Sequence, residues 1–208
     1  MRDLCARFGL SVSSMELASA LAAEWDAQKE VIDPPSMPLT QLVSTAIDRV
    51  PTHRAAIIDE LLAYGGSDLL CYRAEAPRDL VLRQEEVWQP LVDWASVVLG
   101  AEFVVAGGIV PVAQPSETLD ILRAVIGESD DLGLAALQSA VGALGSLILG
   151  LALARQRLDP DQAFAVSQLD ETYQIEQWGE DAETCERRRL LLQDVTAAGR
   201  LMAFSRQR

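Results

Sequence analysis

Residues 132–154, LGLAALQSAVGALGSLILGLALA, run for twenty-three positions without a charge, and this stretch constrains the fold more than any other. As one helix it would extend about 35 Å at 1.5 Å per residue, the width of a small domain. Leu134, Leu137, Val141, Leu144, Ile148 and Leu151 recur by threes and fours and so share a face. Ala136, Ala140, Ala143, Leu147, Gly150 and Ala154 make a second, mostly small-residue ridge against which another backbone can close. A helix apolar on every side belongs at the centre of a helical domain or in a bilayer. The length meets the bilayer criterion of about 20 residues. Against it, Gln138, Ser139 and Ser146 interrupt the run, alanine and glycine dilute it, and no aromatic belt flanks it. Asp130 and Asp131 before it and Arg155 and Arg157 after it complement a helix dipole in water. The expectation is a single buried central helix with no membrane insertion. A small helical membrane-associated protein using residues 132–154 is the alternative.

A chain of 208 residues, half of them hydrophobic, can bury a substantial core. Its net charge of −14 argues against nucleic acid as a partner, because phosphate contacts need a basic surface. Cys5, Cys71 and Cys185 are widely spaced and match no metal or redox pattern. His53, the sole histidine, has no serine or cysteine nucleophile pattern beside it. The glycine-rich, Walker, CxxC and HExxH signatures do not occur, and Gly107-Gly108 lacks the helix that a phosphate loop needs. No enzyme, cofactor or metal is expected. An enzyme using paired carboxylates would require a pocket of perturbed acids, which only a structure can show. Residues 1–16 lack the continuous apolar core of a secretory signal, which sets the expectation of a cytoplasmic protein.

In chain order, helices are expected over 15–29, 40–50 and 54–64, the last ending at Gly65-Gly66. Residues 68–74, DLLCYRA, fit a strand or a buried turn of helix. A helix opening at Pro77 should kink or restart at Pro90, between Trp88 and Trp94. Residues 102–112, EFVVAGGIVPV, are the best strand candidate. Helices then follow over 116–126, from Pro160 to about Trp178-Gly179, and from Glu180 to about Ser205. The chain reads as mainly α, a helical domain around a central buried helix with a few short strands. Trp25, Trp88 and Trp94 are assigned structural roles as large apolar anchors.

The richest polar feature lies near the C-terminus. Between Asp170 and Glu186 stand seven acids and no base, followed by Arg187-Arg188-Arg189. One reading is a solvated face in which Glu183 pairs with Arg187 and Glu186 with Arg189, each exposed pair contributing about 0.3–0.5 kcal/mol. The other is an acidic, aromatic-bearing surface that holds a partner.

Four segments carry a resemblance: EWDAQ (24–28), MPLTQL (37–42), LLCYRAEAPRDLVLRQEEVWQPLVDWA (69–95) and YQIEQWGEDAE (173–183). Together they resemble the ATP synthase assembly factor 2 family, chaperones of the F-type ATP synthase α subunit, over about residues 17–205. The resemblance implies a chaperone without catalysis. Such a chaperone binds the free α subunit and shields its β-facing surface until the β subunit displaces it. It implies a cytoplasmic location in bacteria and the mitochondrial matrix for eukaryotic relatives. The family's functionally important acid precedes the YQIxxWG motif and matches Glu171. Asp170, Tyr173, Trp178 and Glu180 complete the expected partner-binding set, and Trp25 matches the tryptophan of EWDAQ. Members usually begin with a small β-rich domain. Residues 1–16 do not read as that domain and are expected to be an atypical N-terminal segment ahead of a helical chaperone domain, 17–208.

Overall fold

The computed structural model describes residues 12, 14–108 and 110–206. The expectation for residues 1–16 therefore lies largely outside the described residues. Ten α-helices are found among them: α1 (Met15–Asp26), α2 (Pro38–Asp48), α3 (Val50–Gly66), α4 (Arg78–Trp94), α5 (Ser116–Gly127), α6 (Asp131–Leu144), α7 (Leu147–Ala154), α8 (Pro160–Ser167), α9 (Leu169–Trp178) and α10 (Ala182–Arg206). Two short strands, β1 (Tyr72–Arg73) and β2 (Ala106–Gly107), form one parallel pair, with Tyr72 opposite Ala106 and Arg73 opposite Gly107. The protein is mainly α.

The charge-free segment is buried as expected, but it is two helices rather than one. Gly145 takes a left-handed conformation (φ 68°) that ends α6, and its N–H bonds the Val141 carbonyl. Ser146 is extended and starts α7, its hydroxyl accepting the Leu149 N–H at 3.1 Å. The periodicity runs through this break because Gly-Ser interrupts the backbone without interrupting the apolar content. Residues 147–153 are all buried, and α6 is wrapped by α2, α3 and the long α10. No helix among the described residues is long and apolar enough to cross a membrane.

A buried carboxylate holds the break together. Asp68 is wholly inaccessible, and its two oxygens accept the Leu70 N–H (3.0 Å), the Ser146 hydroxyl (2.7 Å) and the Ile148 N–H (3.0 Å). It thus caps the 3₁₀ turn Leu69–Cys71 and the first turn of α7 together, where free backbone donors and the helix dipole favour an anion. Burial nevertheless dominates and lifts its pKa to about 6.

Three further boundaries differ from expectation. α4 runs unbroken through Pro90 and ends in a π-helical turn, Ala95–Leu99, closed by Gly100 at φ 76°. Pro90 and Glu86, whose carbonyl loses its partner, are both exposed, so water can satisfy that carbonyl. The expected strand over 102–112 shrinks to Ala106–Gly107. The Gln114 amide donates to the Val104 carbonyl (2.9 Å) and accepts its N–H (2.8 Å), taking the place of a neighbouring strand. The helix expected from Pro160 divides at Gln168 into α8 and α9.

Candidate partner-binding face

The acidic segment folds as α9, which leans on α4 and α8. Only Leu169 and Tyr173 of this helix are buried. Hydrogen bonds and ion pairs add to these two anchors. Asp170 accepts the Gln84 amide at 2.7 Å, and the same Gln84 side chain is buried and accepts the Ala74 N–H. The Tyr173 hydroxyl donates to Asp79 at 2.9 Å, which holds its pKa above the usual phenol range, and the Arg83 guanidinium lies 5.4 Å over its ring. Arg83 also pairs with Glu176 at 2.7 Å.

On the other flank α9 meets the start of α10. Arg187 pairs with Glu171, replacing the expected Glu183–Arg187 contact, while Glu186 and Arg189 do pair, at 2.8 Å. Arg188 lies 3.6 Å from Glu180, donates to the Thr172 hydroxyl and covers the Phe164 ring. Asp181 accepts the Thr184 N–H and so caps α10, which keeps its carboxyl below the usual range.

The expected set therefore splits by direction. Tyr173 is 7% exposed, so its ring anchors α9 instead of offering a contact surface. Asp170 is likewise turned toward Gln84. Glu171 and Glu180 lie toward α10 and its arginines. Trp178 is 79% exposed at the C-terminus of α9, where Gly179 (φ 87°) turns the chain away. The tryptophans assigned to structure also differ among themselves. Trp88 is fully buried, with its indole N–H on the Val166 carbonyl at 3.0 Å, while Trp25 and Trp94 are half-buried.

The remaining resembling segments are struts. Met37 gives α2 no side-chain cap. Glu24 reaches over from α1 instead, and its carboxylate accepts the Leu39 N–H (2.9 Å), the Thr40 N–H (2.8 Å) and the Thr40 hydroxyl (2.7 Å). Gln28 closes the same clasp on Ser36 and Asp33. In EWDAQ the polar residues on either side of Trp25 thus join two helices. Their spacing to MPLTQL was visible, but nothing local in the sequence says that a glutamate caps a helix fourteen residues away. Glu24→Ala is expected to destabilise the protein by about 1–2 kcal/mol, the typical loss of a helix N-cap, read in urea unfolding. Arg73 of the CYR motif bonds the Leu70 and Gln84 carbonyls and covers the Trp88 ring at 5.5 Å.

No cluster of His, Cys, Asp and Glu able to hold a metal is found among the described residues. His53 is exposed and bonds Thr52 beside it.

The structure superposes on the crystal structure of Atp12 from Paracoccus denitrificans with a TM-score of 0.89. The two chains share 42% identity over 94% of this chain and 84% of that one. The chain belongs to the ATP12 chaperone family. A family profile described as ATP12 chaperone protein matches residues 4–96. An aspartate-to-lysine mutant of the P. denitrificans Atp12p matches with the same scores. The Atu1473 protein of Agrobacterium tumefaciens matches at 42% identity and a TM-score of 0.89, over 93% of this chain and 73% of that one. Among curated relatives, the mitochondrial protein atp12 of Schizosaccharomyces pombe is 28% identical over 178 residues. This chain spans 80% of its own length there but 61% of that ATP12 relative.

Proposed function

We propose that this protein is an assembly chaperone for the catalytic head of F-type ATP synthase. In this reading it binds the free α subunit through the α9–α10 face and shields the subunit's β-facing surface until the β subunit displaces it. It works in the cytoplasm and catalyses nothing. The single observation that carries the reading is the build of α9. Its inner side is tied down by polar contacts, Glu171 near its start pairs with Arg187, and Trp178 stands 79% exposed at its tip, two residues before Glu180. An exposed tryptophan next to charged groups that can exchange partners has the composition of an interaction hot spot. The need is physical: a subunit interface built to stay closed is large and apolar, and a free subunit exposing it aggregates. A chaperone that covers this surface needs no nucleotide, provided the final subunit contact is the more favourable one.

Size-exclusion chromatography with purified α subunit, followed by β, tests this. The expected result is a complex with α that dissolves when β is added, and a well-folded protein forming no complex would refute the reading. Within that assay Glu171→Lys is expected to weaken α-subunit binding about tenfold, roughly 1.4 kcal/mol. Its thermal midpoint should stay close to the parent's, because an exposed ion pair contributes only about 0–1 kcal/mol to stability. Unchanged affinity would remove Glu171 from the contact. The mutant named for the Paracoccus relative makes the same kind of charge reversal.

A further inference from the structure

We propose a second docking surface, at the C-terminal end of α7, that takes an acidic polypeptide segment carrying apolar side chains. In a chain of net charge −14, Arg54, Arg83, Arg123, Arg187, Arg188 and Arg189 are each engaged by a carboxylate. Arg155, Arg157 and Arg206 have no ion-pair partner among the described residues, and all three line one groove of about 600 Å³ together with Trp94 and Val98. Lys29, Arg49, Arg78 and Arg200 are also without an ion pair among the described residues, but Arg155, Arg157 and Arg206 are set apart by lining one groove together.

Helix capping does not account for Arg155 and Arg157. The backbone already closes α7, with Arg155 N–H on the Leu151 carbonyl (2.9 Å), Gln156 N–H on Leu153 (3.1 Å) and Arg157 N–H on Ala152 (2.8 Å). Their guanidinium groups are surplus to that closure. Arg206 alone adds a side-chain bond, to the Ala154 carbonyl. Gln156 holds a left-handed conformation (φ 57°) where such a closure ordinarily uses glycine. The two arginines thus flank a residue held in a costly backbone state, a feature that gathers at functional sites.

The groove also has an apolar side, made by Trp94 and Val98. Val98 is 51% exposed and its neighbour Val97 84%, both carried on the π-helical turn that follows Trp94. Guanidinium forks beside an aromatic ring and exposed valines suit a carboxylate flanked by apolar side chains, since arginine grips carboxylates bidentately. A free phosphate would leave the apolar wall unused. Ten residues of α4, about 15 Å at 1.5 Å each, separate Trp94 from Gln84, the nearest α4 side chain that α9 bonds. None of the residues lining this groove belongs to the site proposed for the α subunit.

Calorimetric titration of the full chain tests this, using a short Glu/Leu peptide, its Glu/Ser and Lys/Leu counterparts, and phosphatidylglycerol vesicles. The Glu/Leu peptide should bind, more weakly as salt rises. Arg155→Ser with Arg157→Ser should reduce that affinity about tenfold or more, as expected for two charged contacts. Val98→Ser should also weaken it, and Glu171→Lys should leave it unchanged. Absence of Glu/Leu binding, equal binding of the Glu/Ser peptide, or retention of affinity in the double-serine variant would overturn the proposal. So would preferential vesicle binding, or sedimentation showing a dimer that the double-serine variant dissolves.

Discussion

Asp68→Ala is expected to lower stability at pH 7 by about 3 kcal/mol, read as a reduced urea midpoint with an unchanged slope. The substitution leaves the Leu70 N–H, the Ser146 hydroxyl and the Ile148 N–H in the core with no acceptor. Each buried donor left unmet costs about 1–3 kcal/mol. Two effects reduce the sum: the Ser146 hydroxyl can rotate, and the expense of burying a carboxylate disappears. Asp68→Asn should fall between parent and alanine variant. Its amide oxygen can still serve Leu70 and Ser146, but its amide nitrogen then faces the Ile148 N–H, donor against donor. An alanine variant as stable as the parent would mean that the break at Gly145-Ser146 holds without its acid.

The same carboxyl makes stability depend on pH in an unusual direction. Its folded pKa of about 6 lies above the ordinary value of 3.8, so the native state binds the proton more tightly than the unfolded chain does. Stability from this group is complete below about pH 4 and falls as pH rises through about 6, by roughly 3 kcal/mol for a two-unit shift. Asp181 and Glu186 are held below their ordinary values and act in the opposite sense, so the contribution of Asp68 is read by difference. Parent minus Asp68→Asn should decline between pH 4 and 6.5 and then level. Beside it, Cys71 is pushed up to about 12 by burial and by the Asp68 charge, and so does not titrate in this range.

How much of this was legible in the sequence depends on the range of the interaction. Local signals were readable. Pro160 opens α8, Ser116 opens α5, and the α3 helix ends where Gly65-Gly66 suggested. The mainly α architecture and the burial of most of residues 132–154 followed from periodicity together with the flanking charges and the missing aromatic belt. The break at Gly145-Ser146 was misread although its signal was present, because glycine then serine is the ordinary pairing of a helix end with a new cap. Asp68 gave no such signal. A single acid before an apolar run looks like a surface turn, and only the tertiary fold places it against Ser146, 78 residues later. The acidic face was legible as composition but not as direction. Spacing within α9 could not tell that Asp170 and Tyr173 turn toward α4 while Trp178 points out, since that depends on the position of a helix more than 80 residues earlier.

The small-residue ridge read from the sequence leads to the other large effect, at Gly150. A methyl group there would run into Cγ2 of Val141 and lie 3.2 Å from Cδ1 of Leu137, because α7 turns back onto α6 at this point. Val141 is β-branched and buried, so its side chain has little freedom to move aside. Gly150→Ala is therefore expected to destabilise by about 2–3 kcal/mol, overpacking outweighing the roughly 1 kcal/mol that alanine gains over glycine in a helix. Gly142 supplies the control. It lies in α6 with nothing within 4 Å of an added methyl, so Gly142→Ala should raise the thermal midpoint. The same substitution on adjoining helices thus has opposite signs, decided by space alone. Val141→Ala removes the obstructing methyl groups, and the double variant with Gly150→Ala should be less destabilised than the sum of the two single variants. Strict additivity, or a Gly150→Ala protein that melts like the Gly142→Ala one, would show that α7 stands farther from α6 than this packing requires.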